Sequence, residues 1–299
     1  MSETVRSTSD QPKDPKFENS QTVEDLVILL ASGQQELRKL GYATVVTTGS
    51  SAVVPLIALL HDENSSARYY AVSALADIAD PIAVEPLLSM LTDDDEEVRS
   101  AAVSALGQVG DIRGVVPLLA LLQDNIEDSW VRSYAAEALG KLGDHRAIDP
   151  LIEALLNDRS GAVRSNAARA LGLLGDRRAV DALIQAITPD LSSTEDADDT
   201  TELEITWYSA WSLAQLGDSR AIEPLIRLLL ESPSDSLQRM VAIETLGALG
   251  DERALTALDF VQRYERPADE TLAEAFDRDI AEAIKRIKQR HSGDPSQIH

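Results

Sequence analysis

Residues 167–187 read "AARALGLLGDRRAVDALIQAI", nearly repeating "AAEALGKLGDHRAIDPLIEAL" at 135–155 and "SAWSLAQLGDSRAIEPLIRLL" at 209–229. Self-similarity at a fixed period means that one supersecondary unit is built many times, and this limits the fold more than any composition does. The aligned Asp residues are Asp80, Asp111, Asp144, Asp176, Asp218 and Asp251, at intervals of 31, 33, 32, 42 and 33 residues. A fainter copy, "TTGSSAVVPLIALL", puts Ser50 in the same role 30 residues before Asp80.

Each unit reads as two helices. After the Gly-Asp, "RAIDPLIEAL" (146–155) sets Ile148, Leu151, Ile152 and Leu155 at helical spacing. Proline recurs as Pro55, Pro86, Pro117, Pro150 and Pro224. This first helix therefore begins just before the proline or bends there. A polar turn such as "TDDDEE" or "NDRSG" leads to a longer second helix, as in "VRSAAVSALGQV" (98–109). Gly110 supplies a left-handed end, and Asp111 a cap for the next helix. One column of the second helix is Leu75, Leu106, Leu139, Leu171, Leu213 and Leu246. Another holds only small residues: Ala71, Ala102, Ala135, Ala167, Ser209 and Ala242. Small residues let helices approach closely, and leucines fill a shared core. One hairpin cannot bury such a face, but stacked neighbours can. The expected fold is all-α, one solenoid of about eight hairpins over residues 21–290. Residues 1–20 read as a disordered polar leader and 291–299 as a flexible tail.

The pattern D-x-x-x-VR-x-x-AA-x-ALG-x-LGD-x-RAI-x-PL-I-x-AL resembles HEAT repeats of the phycobilisome-lyase HEAT-like subtype, over roughly residues 22 to 288. The resemblance implies an α-solenoid superhelix whose second helices line a concave face. It carries two classes of function. One is a non-enzymatic interaction scaffold or chaperone that grips a partner protein, with a phycobiliprotein or a second HEAT-repeat subunit as candidates. The other is a bilin lyase, or a subunit of one, that holds a bilin as a transient ligand beside a phycobiliprotein cysteine. "RYYAVSAL" and "TWYSAWSL" loosely echo the aromatic signature of some E/F-type lyases.

Arginine recurs as Arg38, Arg68, Arg99, Arg132, Arg164 and Arg239, and Thr206 interrupts the column. Recurrence in almost every unit points to a structural pairing with turn or Gly-Asp carboxylates of adjacent repeats. Function is then sought where the phrase is altered. The position after the arginine reads Lys39, Tyr69, Ser100, Ser133, Ser165, Trp207, Met240. The next reads Leu40, Tyr70, Ala101, Tyr134, Asn166, Tyr208, Val241. Trp211 falls four residues after Trp207, and Trp130 four before Tyr134, so each pair shares a helix face. All three tryptophans, and Tyr69, Tyr70, Tyr134 and Tyr208, thus fall on second helices. Such residues concentrate at binding hot spots, although Tyr70, Tyr134 and Tyr208 also suit core gaps. The candidate partner- or bilin-binding residues are Trp207, Trp211, Tyr208, Trp130, Tyr134, Tyr69, Tyr70 and Arg169. Trp207 and Trp211 are expected to form one exposed apolar patch. The 42-residue interval holds an acidic insertion, "TPDLSSTEDADDTTELE" (188–204), in the turn before Trp207, with seven acidic residues and no basic one.

Catalytic chemistry finds little to use. There is no G-x-S-x-G, P-loop or H-E-x-x-H. His61 precedes Asp62 and His145 precedes Arg146, so the His-Glu pairs of a dinuclear-iron HEAT hydroxylase are absent. Glu96 and Glu97 sit where a helix begins and favour its dipole. With no cysteine, disulfides and thiolate metal sites are excluded. A net charge of −24 repels nucleic acid and anionic lipid. The apolar runs are too short to span a bilayer and no secretory signal is visible, so a cytoplasmic protein without membrane insertion, metal or resident cofactor is expected.

Overall fold

Successive pairs of antiparallel helices build the chain in its computed structural model, which describes residues 22–188 and 199–291. The first hairpin is α1 (Val23–Ile28) with α2 (Gln35–Thr48), the second α3 (Val53–Leu59) with α4 (Ser65–Ile78). Then come α5 (Val84–Ser89) with α6 (Glu96–Val109), and α7 (Val115–Gln123) with α8 (Ser129–Leu142). The fifth and sixth are α9 (Ile148–Asn157) with α10 (Gly161–Leu174), and α11 (Val180–Ile187) with α12 (Asp199–Leu216). The last two are α13 (Ile222–Glu231) with α14 (Leu237–Leu249), and α15 (Ala254–Tyr264) with α16 (Glu270–His291). Among the described residues there is no strand. The leader, the tail from residue 292 and residues 189–198 of the insertion lie outside the described residues.

Local chemistry sets the boundaries. Asn64, Asp95 and Asp128 each accept an amide hydrogen bond at the start of α4, α6 and α8, satisfying donors that the helix leaves free. Asp80, Asp111, Asp144, Asp176 and Asp218 do the same for a single 3-10 turn that leads into the next first helix. The predicted role of Ser50 is corrected here. Gly49, at φ 70° and ψ −141°, turns the chain without a side-chain cap. That turn also settles the length of the apolar stretch Gln35–Leu59, which by composition alone could cross a membrane. It is broken at Gly49 into helices of 14 and 7 residues, each short of the roughly 20 that a spanning helix needs.

The leucine and small-residue columns are buried in one continuous core that runs the length of the stack. The arginine column ties the hairpins along one edge. Arg68 grips both oxygens of Asp93 at 2.7 Å, and Arg132 grips those of Asp158 at 3.1 and 2.9 Å. Arg99 meets Glu127 at 2.8 Å and Arg239 meets Glu265 at 2.6 Å. Each acid lies in the turn of the following hairpin. Arg68, Arg99, Arg132 and Arg164 also donate Nη1 to a carbonyl of their own turn. Burial pushes the Asp93 carboxyl up, but Arg68 and the Asp95 amide outweigh it and hold it below the usual range. Arg38 is the exception: it meets the Ser32 carbonyl at 2.5 Å and no acid among the described residues, where its Nε, like that of Arg239, is buried without a partner.

The Gly-Asp carboxylates take different arginines. Asp111, Asp144, Asp176, Asp218 and Asp251 each bind the arginine two residues on. Arg113, Arg178 and Arg220 then reach back to Glu85, Asp149 and Asp181 of the preceding hairpin. Arg146 would meet Val116 at that place and makes no such tie among the described residues.

The described end of the insertion is helical. Its last residues form the first turns of α12, and Glu202 there meets Arg164 at 2.5 Å. Glu202 thus takes the part that Asp93, Glu127 and Asp158 play in shorter turns. The expected turn over 188–204 is corrected to a helix from Asp199.

Candidate binding surface on the second helices

The second helices lie side by side in sequence order, α4 on α6, α6 on α8, and onward to α16. Glycine makes this layer tight. A Cβ on Gly107, Gly140 or Gly247 would lie 2.8 Å from the facing Ala138, Ala170 or Ala283 Cβ. The first helices touch their neighbours far less extensively than the second helices do, so theirs is the looser layer. A stack whose two layers differ in spacing curves toward the tighter one. The second helices therefore form the inner face.

The inner face opens into a cleft of about 730 Å³ across α4, α6 and α8. Its origin is a mismatch of side-chain size between neighbouring repeats. Helix α6 carries Ser100 and Ala101 where α4 has Tyr69 and Tyr70, and α8 has Tyr134 in the second of these columns. Small residues make a low floor, and the aromatic residues of α4 and α8 make the walls. Trp130 is 62% exposed, Tyr69 38% and Tyr134 37%, so their rings are open to a ligand. Tyr70 sits behind Tyr69 at 5.4 Å, edge to face, and packs on the core.

Tyr42 of α2, not among the predicted residues, also lines the cleft. Its hydroxyl donates to Asp77 at 2.6 Å. Burial, reinforced by that carboxylate, raises its pKa beyond the ordinary phenol range, so the hydroxyl stays a donor. The first repeat is too degenerate for its columns to flag Tyr42, which falls in the register of the core residue Val72. Asp77, Glu96, Glu97 and Asp128 complete the rim. Asp128 caps α8 through the Trp130 amide at 2.7 Å. Glu96 and Glu97 begin α6, as their place near a helix dipole predicts, but they also face the cleft.

The other predicted residues gather further along the inner face. Trp207, 43% exposed, stands edge to face on Tyr208 at 4.9 Å. Arg169 of α10 lies 5.8 Å over the Tyr208 ring and binds Glu137 at 2.9 Å. Burial pushes the Glu137 carboxyl up, but Lys141 and Arg169 outweigh it and hold it low. Arg169 is thus a paired cation, not a free one. Trp211 is half-buried. The expected patch of two open indoles is corrected: Trp207 takes Tyr208 as its ring partner, and Trp211 stands partly inside the layer. Tyr208 packs against the core, as its column allows. Among the described residues no cluster of three or more His, Cys, Asp or Glu could hold a metal ion.

Comparison with known proteins agrees with this architecture. Importin beta superposes with a TM-score of 0.66 at 15% identity, over 92% of this chain and 43% of its own. The Escherichia coli protein YIBA superposes with a TM-score of 0.62 at 21% identity, over 89% of this chain and 92% of its own. A chain in the CpcE–CpcF complex of phycocyanin lyase from Nostoc sp. PCC7120 is 26% identical over 50% of this chain and 96% of its own length. Its TM-score of 0.46 is too loose to bear on activity. No curated protein sequence matches significantly. The model of HEAT repeats matches residues 53–129, 125–197 and 194–276. With that match spanning most of its length and a stack of helical hairpins beneath it, the chain belongs to the HEAT-repeat family.

Proposed function

We propose that this chain is a non-enzymatic scaffold that binds a partner protein on the inner face of its solenoid. One observation carries this reading: Tyr69, Trp130, Tyr134 and Trp207 are all open to solvent, and all lie on the second-helix layer. Exposed aromatic residues gathered on one face are the usual anchors of protein interfaces. A phycobiliprotein or a second HEAT-repeat subunit is the partner suggested by the repeat subtype, in a cytoplasmic setting.

The bilin-lyase alternative fits the charges less well. A bilin carries two propionates, whereas the cleft rim offers four carboxylates and, among the described residues, no Lys, Arg or His. Arg169, the cation beside the second aromatic group, is already bound to Glu137. Incubation with free bilin and an apo-phycobiliprotein tests this alternative, since colour transfer would restore it.

The scaffold reading is tested by affinity capture with the full chain. Wild type is compared with Trp130→Ser/Tyr134→Ser, with Trp207→Ser/Trp211→Ser, and with the outer-layer pair Phe260→Ser/Tyr264→Ser. Partners should be lost with at least one inner-face variant and kept with the outer one. Loss on the outer variant alone would refute the reading.

A further inference from the structure

We propose that the cleft across α4, α6 and α8 receives lysine or arginine side chains from an extended segment of the partner. This rests on the inner-face scaffold reading and names the chemistry that one part of that face selects. The argument begins with charge. Asp77, Glu96, Glu97 and Asp128 rim one cleft, and among the described residues no basic one lines it. Two other carboxylates of the second-helix side are met by cations: Glu137 has Arg169 and Lys141, and Asp93 has Arg68. In the cleft, Asp77 receives only the neutral Tyr42 hydroxyl, and Asp128 the Trp130 amide. Arg99 feels the charge of Glu96 and Asp128, but its guanidinium is held by Glu127 and the Asp93 carbonyl.

Geometry supplies the second half. Carboxylates alone would bind any cation weakly in water. Here Tyr69, Tyr134 and Trp130 stand exposed within the same cleft. An ammonium or guanidinium over such a ring gains cation–π attraction, and the aliphatic stem beneath it packs on the ring. Ser100, Ser104 and Gln108 on the floor offer further hydrogen bonds. Other occupants fit worse. An anionic ligand is repelled. An apolar plug would bury carboxylates without partners, at high cost. The cleft volume of about 730 Å³ suits a few extended residues rather than a folded domain.

The test uses the full chain and a short fluorescein-labelled peptide of alternating arginine and serine, followed by anisotropy at about 0.15 M salt, where diffuse attraction is screened. A glutamate–serine peptide of equal length is the control. Glu96→Gln/Glu97→Gln removes two rim charges from exposed positions, and Trp130→Ala removes an exposed ring. Glu231→Gln/Asp235→Asn removes the same charge from the surface of the seventh hairpin. The arginine peptide should bind wild type. Each cleft variant should weaken it by about tenfold, and the distant variant should leave it unchanged. Absent binding, equal binding of the glutamate peptide, equal weakening by the distant variant, or wild-type binding by Trp130→Ala would each overturn the proposal. A partner lost on Trp207→Ser/Trp211→Ser, with peptide binding indifferent to the cleft variants, would sink this inference and leave the scaffold reading standing.

Discussion

Ala79 ends α4 in the left-handed conformation, at φ 54° and ψ 35°, where later second helices end in glycine at φ 61° to 75°. An L-residue there costs about 1–2 kcal/mol, partly offset because glycine loses about 0.5–1 kcal/mol more chain entropy on folding. Ala79→Gly should therefore stabilise the protein by about 0.5–1 kcal/mol, read as a higher Tm. Gly110→Ala should do the reverse, and nothing crowds a Cβ at Gly110, so backbone strain alone decides it. The two arginine ladders differ in burial and should differ in consequence. Arg132 is 1% exposed and faces a buried Asp158, so Arg132→Ala leaves a carboxylate uncompensated and should cost about 3 kcal/mol in denaturant unfolding. Arg113→Ala, in the exposed ladder, should leave the denaturation midpoint nearly unmoved. Equal effects from the two would mean that burial is not what separates the ladders. The arginine column and its structural use were legible because a recurring charge in an otherwise varying helix has to meet something equally repeated. Its partners were legible only by class: turn carboxylates answer it, while the Gly-Asp carboxylates bind their own neighbours.

Helix pairs pack through the glycine column, and Gly140 is one of its tight members. A Cβ there would lie 2.8 Å from the Ala170 backbone as well as from its side chain. Gly140→Ala must push α8 away from α10, and overpacking of this kind typically costs about 1–3 kcal/mol in thermal or denaturant unfolding. An unchanged stability would show that the layer yields freely and does not fix the curvature. The element pattern itself followed from periodicity: leucine and small-residue columns recur at a helical repeat, and no local rule opposes them. What periodicity missed lies where the repeat is interrupted. Glu202 belongs to an inserted segment, so no column could assign it to Arg164. Gly49 replaces a capped Gly-Asp with an uncapped turn, and the aligned Ser50 disguised the change.

Across the whole molecule, paired carboxylates run along the stack. Asp111, Asp144 and Asp251 are drawn from the ordinary 3.8 down to about 2, chiefly by hydrogen bonds from the arginines two residues on. A carboxylate whose folded value is depressed stabilises the fold fully above its unfolded value and loses that contribution as pH falls through the folded one. Because these pairs are solvent-exposed, their contribution should be small: urea midpoints should be flat near neutral pH and fall only slightly between about pH 4 and pH 2. The cleft was half legible. The columns held Tyr69, Trp130 and Tyr134, but a cleft exists only because small α6 residues fall between them, a relation across three repeats. Its charge was hidden because Glu96 and Glu97 already had a local reason at a helix start. The most direct test of the inner-face claim is hydroxyl-radical footprinting of the full chain, free and with a partner captured by it. Protection should fall on Tyr69, Trp130, Tyr134 or Trp207 and spare Phe260 and Tyr264, which are exposed on the outer helix α15. Protection of Phe260 and Tyr264 with the inner aromatics unchanged would contradict it.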